Sequence, residues 1–123
     1  MSNIYTDLPS EVQSAIVPVN KTYYDYNSGA PVTQTCEDTV WIPSYREMFG
    51  GTSYETSGSS YTSYFTNKAS RVKHYSGSAI GWCLRSSHSS YNNNDRFCYV
   101  GYDGRDDYTY SYTAFGVALG FCT

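Results

Sequence analysis

The sequence predicts a single α+β domain, and three observations carry that expectation. One hundred and twenty-three residues suffice for one domain with a real core. Helix-capping patterns sit in the first fifty residues, whereas from Ala69 onward apolar residues come in short runs broken by turn signals. Helices first and strands last is the order of an α+β chain with an antiparallel sheet.

Two helices are expected. Ser10 followed by Gln13 is a capping-box pattern, and Leu8, Val12, Ala15 and Ile16 fall on one helical face before Pro18 ends it. Ser44 followed by Glu47 repeats the pattern. There Tyr45, Met48 and Phe49 supply the apolar side, and Gly50-Gly51 stop the helix. Between the two, Asn20–Gln34 reads as irregular or short-stranded. Tyr61, Tyr64 and Phe65 have helical spacing within Tyr54–Asn67, but the Ser, Thr and Gly there weigh against it, so helix and loop both stay open.

The strands follow. Ala79–Arg85 and Phe97–Val100 are short apolar runs, Asp103-Gly104 is a turn, and Gly116–Cys122 reads as a final buried strand. Tyr108, Tyr110 and Tyr112 alternate with Thr109, Ser111 and Thr113, so strand periodicity puts the three tyrosines on one face. Phe97, Val100, Val117, Leu119 and Phe121 are assigned to the core. Trp41, Trp82 and Arg85 read as scaffold, with Arg85 bonding backbone or a carboxylate such as Glu47.

Composition excludes several classes. A net charge of −3 and a pI near 5.1 argue against a nucleic-acid surface, which needs clustered Lys and Arg. The longest apolar run, Ala114–Cys122, is about half a membrane span, so no membrane insertion is expected. The opening Met1–Asp7 is polar, so no signal peptide is expected in these residues. Fifteen Tyr, 5 Phe and 2 Trp are too many aromatics for a solvated tail. Cys36, Cys83, Cys98 and Cys122 show no C-x-x-C spacing, and His74 and His88 stand alone, so no metal or other cofactor is expected. Reduced core thiols are the favoured state of the cysteines, with a Cys98–Cys122 bridge second.

The sharpest compositional feature is an absence. The first 74 residues hold 3 Lys, 4 Glu, 2 Gln and 2 Met. At that rate the last 49 would hold about 7 residues of these types; they hold none. A Tyr- and Thr-rich exposed sheet disfavours Lys and Glu to a degree, yet exposed strands commonly use Lys as edge protection. A genetic constraint accounts for all four types together. An Asn codon altered only at its adenines reaches Tyr, Asp, His, Ser, Gly, Arg and Cys, but never Lys, Glu, Gln or Met.

Four segments carry a resemblance: "WIPSYREMFGG" (Trp41–Gly51), "GWCLRSS" (Gly81–Ser87), "FCYVGYDG" (Phe97–Gly104) and "GVALGFC" (Gly116–Cys122). Together the chain resembles bacterial and phage C-type-lectin-like domains related to the formylglycine-generating-enzyme branch of that fold. Trp41, Ser44, Glu47, Phe49 and Gly50 match the first motif, and Trp82, Leu84, Arg85 and Ser86 the second. Phe97, Val100 and Gly104 match the third, and Gly116, Val117 and Phe121 the last. Cys83, Ser87 and Leu119 depart from the usual Trp, Pro and Pro. The resemblance covers most of the chain and implies a C-type-lectin-like fold.

Relatives of this fold include variable proteins of diversity-generating retroelements, in which adenine-directed mutagenesis randomises a displayed segment near the C-terminus. Here that implies a variable segment at about 87–115, on a phage tail or a bacterial cell surface, and a protein or glycan partner. Six tyrosines (Tyr91, Tyr99, Tyr102, Tyr108, Tyr110, Tyr112) would give rigid contact area. Asn92, Asn94, Asp95, Arg96, Asp103, Arg105 and Asp107 would give adaptable hydrogen bonds and charge. Metal-independent sugar binding by tyrosine stacking is the alternative. A calcium lectin would need Glu and Pro around "NNND" (Asn92–Asp95), which instead reads as a turn. Catalysis is not expected: no two cysteines are near in sequence as in the formylglycine-generating relatives, and no Ser/His/Asp grouping stands out. His88 reads as an exposed loop residue.

Overall fold

The computed structural model describes residues 4–25, 32–51, 60–88, 96–110 and 113–123. Within them the chain is α+β, with three short helices and small antiparallel sheets. A 3-10 turn (Ile4–Asp7) precedes α1 (Ser10–Ala15). The N-cap of α1 is Pro9, with no side-chain cap bond, so Ser10 is the first helical residue rather than the cap. Gln13 bonds backward instead, donating from Nε2 to the Leu8 carbonyl at 2.6 Å.

Within Asn20–Gln34, expected to be irregular or short-stranded, the described residues lie in two paired strands. Strands β1 (Val19–Asp25) and β2 (Val32–Asp38) pair antiparallel from Val19↔Asp38 to Asp25↔Val32. Helix α2 (Tyr45–Phe49) has the expected reciprocal cap: Ser44 Oγ accepts from Glu47 N at 3.1 Å, and Glu47 Oε2 accepts from Ser44 N at 2.8 Å. Gly50 closes it at φ +73°, a left-handed conformation that favours glycine. Tyr54 lies outside the described residues. Tyr61–Phe65 forms one tight turn, and the helix begins only at α3 (Lys68–Arg71), capped by Asn67.

The strand tract is subdivided. Strands β3 (Lys73–Tyr75) and β4 (Ser78–Ile80) form a small hairpin. Gly81 separates β4 from β5 (Trp82–Ser87), so Ala79–Arg85 is not one strand. A third, three-stranded sheet has the order β5-β6-β7, with β6 at Arg96–Val100 and β7 at Asp106–Tyr110. Gly116–Cys122 is not a buried strand. It touches the rest of the fold through isolated bridges, Gly116 with Trp82, Gly120 with Trp41 and Cys122 with Val17.

The core lies between α2 and one face of the three-stranded sheet: Met48, Trp82, Leu84, Cys98 and Val100, flanked by Tyr45, Phe49, Phe65 and Ala118. Of the five residues assigned to the core from sequence, only Val100 is buried. Phe97, Val117, Leu119 and Phe121 are all exposed: Phe97 lies on the face of β6 away from the buried Cys98 and Val100, and the C-terminal segment turns its glycines, Ala118 and Cys122 inward. All four cysteines are free.

A buried charge cluster fastens the two halves together. Glu47, 1% exposed, takes a 2.8 Å bond from Lys21 Nζ and two from Arg85, at 2.7 and 3.2 Å. Arg85 also donates to the Ile42 and Thr22 carbonyls, so both expected kinds of partner, backbone and carboxylate, are met. Lys21 further bonds the Tyr61 hydroxyl at 2.7 Å and lies 3.7 Å from the Trp41 ring. Burial pushes the Glu47 carboxyl up, but hydrogen bonds from Arg85 and Lys21 outweigh it and hold the group below its ordinary range.

Candidate functional site

Strands β6 and β7 and their connecting turn carry most of the described residues singled out from sequence. Directly opposed residues in an antiparallel pair share a face. Arg96↔Tyr110 and Cys98↔Tyr108 therefore lie on the core-facing side, at its outer margin, because β7 is an edge strand. Phe97↔Thr109 and Tyr99↔Asp107 lie on the opposite side. Tyr108 and Tyr110 share a face as the alternation predicts, but Tyr99 and Asp107 do not join them. Tyr91, Asn92, Asn94, Asp95 and Tyr112 lie outside the described residues.

The first group is a stack. The Arg96 guanidinium sits 4.8 Å from the Tyr110 ring centre and 5.6 Å from that of Tyr108, and it donates to Tyr110 Oη at 3.1 Å. His88, expected to be an exposed loop residue, lies just beyond β5 but joins this stack. Its ring lies 3.9 Å from Tyr108, half-buried, and its backbone N–H bonds the Arg96 carbonyl at 2.9 Å. Burial, then the neighbouring Arg96 charge, lowers the His88 pKa below its ordinary 6.5. The stack is thus cationic through Arg96 with a neutral imidazole at neutral pH.

The second group surrounds the turn. Tyr99 stacks on Phe115 at 4.4 Å and donates to Asp107 Oδ2 at 3.2 Å. Burial, then the Asp107 carboxylate, raises the Tyr99 pKa, so the phenol stays protonated. Tyr102, Asp103 and Arg105 rim the same hollow of about 530 Å³. Arg105 pairs with Asp103 at 3.2 Å, and Tyr102 is 70% exposed. A second hollow of about 460 Å³ continues along the sheet past Phe97, Thr109 and Cys83 to Ile42. Its walls are mostly apolar, and burial keeps the Cys83 thiol protonated.

Local chemistry builds the turn. Gly101 N bonds the Arg105 carbonyl at 2.7 Å and Gly104 N bonds the Gly101 carbonyl at 2.9 Å. Gly104 has φ +83°, and any Cβ there would overlap the Lys68 carbonyl. Arg71 donates to the Gly104 carbonyl at 3.0 Å, tying the turn to α3.

A family described as Domain of unknown function (DUF6273) matches residues 1–122. The chain belongs to the DUF6273 family. No curated protein and no solved structure matches it. In this DUF6273 domain, no group of three His, Cys, Asp or Glu residues able to hold a metal converges among the described residues. Nor is any described helix long and apolar enough to cross a membrane. Sequence reasoning missed His88 and Phe115 as members of the two groups. Each joins through a contact across space, with Tyr108 and Tyr99 respectively, that no local spacing announces.

Proposed function

We propose that this DUF6273 domain is a ligand-binding module with a C-type-lectin-like fold. Its segment from about Ser87 to Phe115 is a variable surface written by a diversity-generating retroelement and carried on a phage tail or a bacterial cell surface. The observation that carries this reading is the coincidence of two distributions. The tract without Lys, Glu, Gln or Met contains the exposed Tyr102, Tyr108 and Tyr110 and the exposed Asp103, Arg105 and Asp107. Tyrosine offers large, stiff, amphipathic contact area, and short polar neighbours adapt around it. The charge cluster at Glu47 lies outside that tract apart from Arg85 at its margin of the sheet, so the scaffold is held by residues other than those offered for contact.

Comparison of sibling genes tests the reading. Variation concentrated at Ser87–Phe115, together with a reverse transcriptase and a near-copy of this stretch close by, is the expected result. Siblings that vary no more at Ser87–Phe115 than at Met1–His74 end it.

Metal-independent sugar binding is the second reading, favoured by the hollow at the turn. The Tyr99–Phe115 pair and Tyr102 supply apolar ring faces, and Asp103 and Asp107 supply acceptors for sugar hydroxyls. A glycan array with and without chelator separates the two readings. Chelator-insensitive sugar binding abolished by Tyr102→Ala supports the second, and an array without hits leaves a protein ligand.

A further inference from the structure

The C-terminal segment combines two alternations. Gly116, Gly120 and Cys122 spend their main-chain groups inward. Gly116 N bonds the Gly81 carbonyl, Gly120 exchanges two bonds with Trp41 at 2.8 and 3.0 Å, and the Cys122 carbonyl accepts from Val17 N at 2.9 Å. Gly120 suits this role, since a Cβ there would stand 2.8 Å from Trp41 Nε1. The intervening Val117, Leu119 and Phe121 make no main-chain hydrogen bond among the described residues. In an extended chain their N–H and C=O groups point to the opposite edge from their neighbours'. Their side chains are 57%, 38% and 41% exposed.

This edge lacks the usual guards. Natural edges carry Lys, other charges, or Pro that block strand addition. Residues 114–123 contain no Lys, Arg, Asp, Glu or Pro. Beside it runs a groove lined by Tyr75, Ile80 and Ala118 together with Lys73 and His74, so the guards are missing from the segment itself and not from its surroundings.

We propose that Val117–Phe121 is a strand-pairing edge whose occupant is the same segment of a second copy of this chain, antiparallel about Leu119. That register sets Leu119 against its equivalent and Val117 against Phe121, apolar against apolar throughout. An uncharged segment meets its own copy without like-charge repulsion, although each whole chain carries −3. Three hydrogen-bonded residue pairs would give about six N–H···O bonds. A contact of five residues a side falls well short of the roughly 20–30 residues a side of a stable interface, so the dimer is expected to be weak and reversible. The inference is independent of the ligand-binding reading, because it uses none of the residues assigned to that surface.

Sedimentation velocity from about 1 to 500 µM covers the range of a weak equilibrium and tests the pairing. The wild-type chain shifts from monomer to dimer across the range. Leu119→Lys keeps the wild-type melting temperature and weakens association by roughly tenfold or more, as a lysine guard does on an edge strand. Amide exchange on the wild-type chain supplies a readout that needs no variant. The Val117, Leu119 and Phe121 amides become protected as concentration rises, while the Gly120 amide is protected throughout. A chain that stays monomeric at every concentration overturns the proposal, as does association unchanged by Leu119→Lys or exchange at those three amides independent of concentration. Uptake of an extended peptide from another protein by a chain that stays monomeric would likewise assign the edge elsewhere.

Discussion

Replacing Glu47 by Gln is the most informative single change in the scaffold. The side chain keeps its shape but loses its charge, leaving Lys21 and Arg85 directed at a neutral amide. Glu47 accepts four bonds, from Lys21 Nζ, Arg85 Nη1 and Nη2, and Ser44 N, and its carboxylate is 2% exposed. Lys21 is 5% exposed, so little water can compensate its stranded ammonium. Removing one partner of a buried pair costs about 3–5 kcal/mol. At this chain size the loss corresponds to a fall in Tm of roughly 10–20 °C.

Two companion variants set that loss against smaller ones. Ser44→Ala removes only the cap and costs about 1 kcal/mol. Arg105→Ala breaks the exposed pair with Asp103, at 66% and 41% side-chain exposure, and costs under about 1 kcal/mol. Urea unfolding followed by fluorescence of Trp41 and Trp82 measures all three. The cluster also predicts the acid limb. A carboxyl whose folded pKa lies below its ordinary 4.5 contributes stability that is present above 4.5 and lost as pH falls through the folded value. The wild-type chain therefore loses stability there, and Glu47→Gln lacks that component. A Glu47→Gln loss of about 1 kcal/mol or less, no larger than a lost cap, would refute the idea of a dry, closed cluster.

Further outcomes are expected elsewhere. Gly104→Ala destabilises by at least about 2 kcal/mol in the same unfolding assay, since the φ of +83° and the Lys68 carbonyl both oppose a side chain. Tyr108→Ala removes the His88 stack and a cation–π contact and costs about 1 kcal/mol, whereas Tyr102→Ala, at 70% exposure, changes Tm little. His88 titrates below its ordinary 6.5 in an NMR titration. Its folded pKa is depressed, so stability present above 6.5 declines as pH falls through the folded value, and His88→Gln flattens that decline.

The parts of the fold legible in the sequence were those encoded by neighbours along the chain. Helix α2 is announced by Ser44, Glu47 and Gly50, each acting within one turn. The β1–β2 pair was hidden because its buried residue, Lys21, is charged and its apolar residues Tyr23 and Val32 are exposed. All three lie along the same face, with Lys21 buried onto Glu47, so burial there follows a charge and not an apolar alternation. Gly116–Cys122 misled for a related reason. An apolar run usually means burial, but here the large side chains are the outer ones and the small ones pack inward. At the candidate site, strand period placed Tyr108 and Tyr110 together. The division of Tyr99 from them follows from the β6–β7 register, which pairs it with Asp107 and not with another tyrosine.

The anchoring of the β6–β7 turn by Arg71 has a mechanical consequence. A tension applied at Tyr102 or Arg105 does not have to be borne by the two strands alone. It passes through the Gly104 carbonyl to Arg71, whose Nη1 holds the Phe65 carbonyl at 2.9 Å and whose own carbonyl holds Trp82 Nε1 at 2.9 Å. Trp82 is 1% exposed at the centre of the core. The turn is thus tethered like a guyed mast, and a pull on its tip loads the middle of the domain before it can peel the edge strand away.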